Sequence, residues 1–332
     1  MDYPKICQKL DPYDQNCPFV ICADEFRDVL GATPQFKKLV ETDAHEGPVY
    51  WKDEDAILFT TLPESTNIPI PTKRVAIKKL SLKDNKVSVW RDSSNMGNGM
   101  TIDRQGHLLV CEQGTKSTLA RISRFNLYNK DNETVVDGWW GLPFNSPNDI
   151  VVKSDNTIWF TDPSYGYLQG LKNPPLVGNF VYRYDPETGF LSVVADSFNK
   201  PNGLAFSPDE SILYINDSGA IQEPGSYYVD LPHHIRAFDV KDDRHLVNDR
   251  LFAVVTPGIP DGLKVDTKGR IYSSAGDGVQ VFNQQGDLIG KILVDDGVAN
   301  FTFGGPDNNI LYMMADKAIY KATLQAEGPK LY

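Results

Sequence analysis

Six oxygen-bearing side chains recur along this chain at the same place in a repeated phrase: Glu46, Asn98, Asn148, Asn202, Asp261 and Asn300, at intervals of 39 to 59 residues. Carboxylate and amide oxygens unaccompanied by cysteine are the donor set of a hard cation, Ca²⁺ before Mg²⁺, Mn²⁺ or Zn²⁺. Two of the six, Glu46 and Asp261, are anionic. They would balance one divalent ion and leave positions open for water and substrate. Three of the six have the form Asn-Gly or Asp-Gly, which also signals a tight hairpin turn. Against turn chemistry, the pairs precede a strand, while hairpin turns are expected later, at 153–155, 207–210 and 267–269. Glu46 and Asn148 also keep the oxygen donor without an Asx-Gly pair. On spacing alone, a ligand ring and turn chemistry both stand. Beside the ring, His45 could orient Glu46 or carry protons, although a lone histidine is more often a structural donor. Glu112, Asp162 and Asp217 end second strands, each a general-base candidate or a solvated strand end, with the plainer reading preferred for Asp162.

The elements that must carry these residues follow from the same phrase. In its clearest copy, Asn202-Gly203-Leu204-Ala205-Phe206 leads through a polar turn to Ile212-Leu213-Tyr214-Ile215, two short strands meeting at a hairpin. Periods near 50 residues built of short strands mean propeller blades. The sequence therefore predicts an all-β fold, a six-bladed β-propeller spanning 34–332, preceded by an arm, 1–33, packed on it with a helical turn at 24–30. Phe36-Lys37-Lys38-Leu39-Val40 resembles the outer strand that ends the other blades, and the last repeat lacks that strand. An N-terminal strand completing the C-terminal blade would close the ring and hide sheet edges. The first strand of each blade lines the central channel, so the six oxygen donors would surround one axis. Insertions at 163–175 and 219–232, the first carrying Tyr165 and Tyr167, fall where a lid can form. Trp140 is assigned either to the mouth or to the core.

Composition narrows the classes. Of 332 residues, 41% are hydrophobic and 11% aromatic, sufficient for a sizeable core, and this argues against disorder. The formal charge is −11 with dispersed Lys and Arg, so nucleic acid is not an expected partner. No run of about 18 to 20 apolar residues is present and no signal-type run follows Met1, so the expectation is a cytoplasmic protein without a membrane partner. In a reducing compartment Cys7, Cys17, Cys22 and Cys111 are expected as free thiols, with a bridge from Cys7 to Cys17 or Cys22 as the alternative.

His45-Glu46-Gly47-Pro48, Ser146-Pro147-Asn148-Asp149, Lys200-Pro201-Asn202-Gly203-Leu204, Ile259-Pro260-Asp261-Gly262 and Asn300-Phe301-Thr302-Phe303-Gly304-Gly305 resemble, in this order, motifs of the gluconolactonase and regucalcin (senescence marker protein) family. Tyr165-Gly166-Tyr167-Leu168-Gln169, Val181-Tyr182-Arg183-Tyr184 and Gly328-Pro329-Lys330-Leu331-Tyr332 look most like its lactonohydrolase branch. The resemblance implies a six-bladed propeller with one divalent cation, usually calcium, held by Glu46, Asn148, Asn202 and Asp261, and a small-molecule lactone as substrate.

The chemistry then expected is lactone hydrolysis. The cation polarises the carbonyl, water attacks, and Asp261 or Asp217 serves as general base. Asn98 and Asn300 would bind substrate hydroxyls, with His45, Glu112 and Tyr165 also at the substrate. No Gly-x-Ser-x-Gly elbow supports a serine nucleophile. A metal-assisted isomerisation or cyclisation and a calcium-binding propeller without chemistry are the competing readings.

Overall fold

The computed structural model describes residues 7–65, 73–223 and 225–329. It shows six four-stranded antiparallel blades. Blade one consists of Ala44–Trp51, Ala56–Thr61, Ile77–Ser81 and Val87–Arg91. Gly97–Ile102, His107–Glu112, Arg121–Asn126 and Asn132–Val136 form blade two. Blade three has Ile150–Val152, Ile158–Asp162, Phe180–Asp185 and Phe190–Ala195. Pro201–Phe206, Ile212–Asp217, His234–Lys241 and His245–Val254 make blade four, whose last strand begins six residues earlier than its apolar pattern indicates. Leu263–Val265, Ile271–Ala275, Gly278–Phe282 and Leu288–Leu293 build blade five.

Blade six combines Asn300–Gly304, Ile310–Met314 and Ala318–Thr323 with the N-terminal strand Gln35–Glu41. Gln35 pairs with Thr323 and Glu41 with Ala318. The strand borrowed from the start of the chain thus closes the ring as expected.

Successive side chains of a strand point to opposite faces, so an uninterrupted apolar run is buried on both sides. In blade two, Leu108 and Val110 pack with Val49, Leu58 and Met100 toward blade one, while Leu109 and Cys111 pack with Ile150 and Phe160 toward blade three. In blade four, Leu213 and Ile215 join Trp159 of blade three, and Tyr214 faces Leu263 of blade five. The core is accordingly divided among the blade interfaces, which explains the weak polar–apolar alternation of the sequence.

The arm extends blade five. Gln8–Lys9 and Phe19–Ile21 pair with each other, and Phe19–Ile21 pairs with Leu288–Leu293, making a six-stranded sheet. Helix α1 (Phe26–Leu30) then buries Phe26, Val29 and Leu30. The Phe26 ring lies where a Gly290 Cβ would be, about 2.2 Å from its carbons, so only glycine admits it. Cys7 and Cys22 are joined by a disulfide, whereas Cys17 and Cys111 are free and buried. The free-thiol expectation is therefore corrected for the first pair. Pairing of Gln8 with Ile21 sets residues 7 and 22 opposite one another, with Cα atoms 4.1 Å apart, a proximity that sequence spacing does not reveal. Among the described residues no helix is long and apolar enough to cross a membrane. Lys330, Leu331 and Tyr332 of the closing motif lie outside the described residues.

Candidate active site

The Asx-Gly pairs are not turns. Asn98-Gly99 and Asn202-Gly203 lie inside first strands, and neither glycine has a positive φ. They are sites of close approach between blades. Gly99 N donates to Asn148 O (2.7 Å), and a Cβ at Gly99 would lie 2.3 Å from that oxygen. Gly203 N donates to Asp261 O (2.9 Å), where a Cβ would again meet the carbonyl at 2.3 Å. The first strands of neighbouring blades can converge on the axis only because these positions carry no side chain.

That convergence brings the oxygen donors together. Glu46, Asn148, Asn202 and Asn300 are buried, and Asp261 is partly buried. Asn300 Nδ2 donates to Glu46 Oε2 at 2.8 Å, while its own Oδ1 accepts from Phe301 N at 2.8 Å. Asn300 is thus committed to holding Glu46 rather than free for a substrate hydroxyl. Glu46 in turn meets Asp261. Burial, the Glu46 charge and a hydrogen bond with Glu46 push the Asp261 carboxyl well above the usual carboxylate range, and a hydrogen bond from Asn202 acts in the opposite direction. Asn98 Oδ1 and Asn148 Oδ1 are buried without hydrogen-bond partners, an arrangement that is costly unless something fills it.

Among the described residues, no three His, Cys, Asp or Glu side chains come together to hold a metal. The donor set here contains two carboxylates in contact, with amide oxygens to complete it. Repelling carboxylates, unpartnered amide oxygens and the absence of sulfur fit a hard divalent cation.

The remaining candidates sit around this centre. His45 Nδ1 lies 2.7 Å from Asp316 Oδ1; burial alone would lower its pKa, yet that contact and the Glu46 charge raise it. Tyr165, on α2 (Tyr165–Leu168), directs its hydroxyl to Ser218 O at 3.4 Å, and burial with the Asp261 charge keeps it protonated. Asp217 accepts from the backbone N–H groups of Asn199 (2.9 Å), Lys200 (2.8 Å) and Gly219 (3.2 Å). These three donors occupy its oxygens. Glu112 is bound by Arg121 Nε at 2.7 Å and Asn95 Nδ2 at 2.9 Å. Asp162 accepts from Asn145 N and Ser146 N at 2.9 and 2.7 Å, shaping the loop that leads to Asn148. Trp140 is 83% exposed and so does not belong to the core.

Two residues escaped the sequence reading. Asp149 is buried, and burial raises its pKa to about 6, the Glu46 charge adding to this and Lys264 opposing it. Lys264 Nζ reaches Leu263 O at 3.0 Å and Asn300 Oδ1 at 3.5 Å. Asp149 follows a ring residue directly, and Lys264 is a cation in the middle of a channel-lining strand. Either feature would have marked them.

Residues 44–317 match the family described as SMP-30/Gluconolactonase/LRE-like region. Lactonohydrolase oryL of Aspergillus oryzae is 27% identical over 95% of this chain and 76% of its own length. The gluconolactonase of Zymomonas mobilis is 29% identical over 78% of this chain and 72% of its own. Among solved structures, the Xanthomonas campestris gluconolactonase XC5397 superposes with a TM-score of 0.78 at 30% identity, covering 97% of this chain and 99% of that one.

Proposed function

The chain belongs to the SMP-30/gluconolactonase/LRE-like family, and we propose that it is a lactonase, hydrolysing a lactone to its hydroxy acid at the Glu46–Asp261 centre. The observation that carries this reading is the contact of the buried Glu46 with the partly buried Asp261, whose carboxyl is pushed toward protonation, beside amide oxygens that have no partner. Glu46, Asn148, Asn202 and Asp261 would hold one divalent cation, Ca²⁺ foremost. When bound, the ion supplies Lewis-acid polarisation of a carbonyl and offsets the charge of the two acids.

The residues divide the remaining work. Asn300 fixes Glu46 through its amide, and the Gly99 and Gly203 contacts fix the backbone of Asn148 and Asp261. Ionised when the cation offsets its charge, Asp261 would take the proton of the attacking water and return it to the alkoxide that leaves when the ring opens. Its neighbour Asp217 is less suited to that role, because three N–H groups hold its charge. Asn98 Oδ1 is available to a substrate hydroxyl. The Tyr165 hydroxyl, kept protonated by its surroundings, is a donor over the site.

Ring opening releases an acid, so the test is proton release in weak buffer from a panel of aldonolactones, aliphatic lactones and dihydrocoumarin. Protein stripped by chelator is compared with protein given Ca²⁺. The expected result is release that the chelator abolishes and Ca²⁺ restores, lost about a hundredfold or more in a folded Asn148→Ala variant. Full activity in that variant would remove Asn148 from the site. Absence of release with every lactone would sink the lactonase reading.

A further inference from the structure

A cavity of about 270 Å³ lies beside α2, and none of the ring donors belongs to its wall. Its wall includes Leu119, Phe144, Ser146, Tyr167, Pro174 and Leu176. Three of these are large apolar side chains left open to solvent: Leu119 is 60% exposed, Leu176 65% and Tyr167 44%. Exposed apolar side chains scattered singly need no explanation, but three around one cavity do.

Several polar groups of the wall are already engaged, while Asn145 Oδ1 is buried without a partner. Thr115 Oγ1 bonds Thr118 Oγ1 at 2.8 Å and Ser117 Oγ at 3.1 Å. Lys172 Nζ donates to Phe144 O at 2.9 Å, and its Cγ and Cδ lie against Gly166, so the stem of this lysine adds apolar surface. Ser146 Oγ accepts from Gly166 N at 2.9 Å and anchors α2.

The cavity adjoins the loop that leads to Asn148, since Asn145 and Ser146 are part of its wall. Ser146 precedes Asn148 by two residues, which limits their separation to about 7 Å. Helix α2 presents Tyr165 to the Asp261 side and Tyr167 to the cavity. A molecule held at the centre therefore has an apolar chamber within reach of a short side chain. Since cavities of about 150 Å³ admit benzene, this one has room for an aryl ring or a medium alkyl chain.

We infer that this cavity is the subsite for an apolar substituent of the substrate, and that the enzyme takes alkyl- or aryl-substituted lactones in preference to bare or polyhydroxylated rings. The inference rests on the lactonase reading. Each buried methylene should raise kcat/KM about threefold to fourfold until the chamber is full.

The test uses a series of γ-lactones from γ-butyrolactone to the γ-hexyl and γ-phenyl derivatives, assayed for ring opening with the full chain in Ca²⁺. In parallel, binding of γ-butyrolactone and the γ-hexyl lactone is measured by calorimetry. The expected result is a rise of at least thirtyfold in kcat/KM along the alkyl series, carried mainly by KM. In Leu119→Asp and Leu176→Asp, both at exposed positions, the ratio between hexyl and unsubstituted lactone should fall at least tenfold. Turnover independent of the substituent would overturn the subsite and leave the lactonase reading standing. If no lactone is opened, that reading fails, and calorimetry judges the cavity alone. Affinity that ignores the hexyl group, or that survives both Asp substitutions unchanged, overturns the assignment.

Discussion

At the residue scale, the chain places its titratable groups where burial sets their behaviour. Asp162 is fully buried, and burial pushes its pKa up to about 7, outweighing two backbone N–H donors and the Lys172 charge that favour the carboxylate. The ordinary value is 3.8, so between about pH 4 and pH 7 the folded protein binds more protons than the unfolded one. Stability must then fall as pH rises through that window, and no further change comes from this group above it. Asp162→Asn, which does not ionise, removes this slope. The difference in Tm between parent and variant should shift in the variant's favour from pH 5 to pH 8, and parallel curves would refute the assignment. Reading such residues from sequence succeeded unevenly. The common position of Glu46, Asn98, Asn148, Asn202, Asp261 and Asn300 at the start of each blade was legible because the repeat puts them in register. The commitments of Asn300 to Glu46 and of Asp217 to three N–H groups depend on side-chain partners from other segments. Spacing carries no record of these.

Among the elements, the arm departs most from its sequence. Its two short strands lack a periodic pattern of any length, and they form only because Leu288–Leu293 offers an open edge. The hairpin also sets Cys7 against Cys22. Helix α1 is five residues long, too short to persist by itself, and is held by the burial of its apolar face. Phe26 fills the space that Gly290 leaves, so Phe26→Ala should destabilise the protein by about 3 to 5 kcal/mol. Chemical denaturation would measure it. A loss below about 1 kcal/mol would mean that the arm is not integral to the stability of blade five.

For the whole molecule, architecture was the most legible property. Six phrases at near-regular intervals and one missing outer strand sufficed to define the blades and the closure. Two-sided burial divides the apolar residues among interfaces that depend on both neighbours. Loss of the closing strand should therefore be felt beyond blade six. Deleting residues 1–41 uncovers the edge of Ala318–Thr323, and the expected product is aggregated, in contrast to a monodisperse full chain by light scattering. A monodisperse, fully folded truncation would show that the closure is dispensable.

The strand that closes the ring also orders events in time. Gln35–Glu41 leaves the ribosome well before Ala318–Thr323, its partner, is made. Synthesis of a chain this long takes on the order of tens of seconds. Throughout that interval blade six cannot exist, the strand at 35–41 waits unpaired, and the Glu46–Asp261 centre lacks the Asn300 that holds it. The ring is thus completed in one step, when Gln35–Glu41 finds Ala318–Thr323.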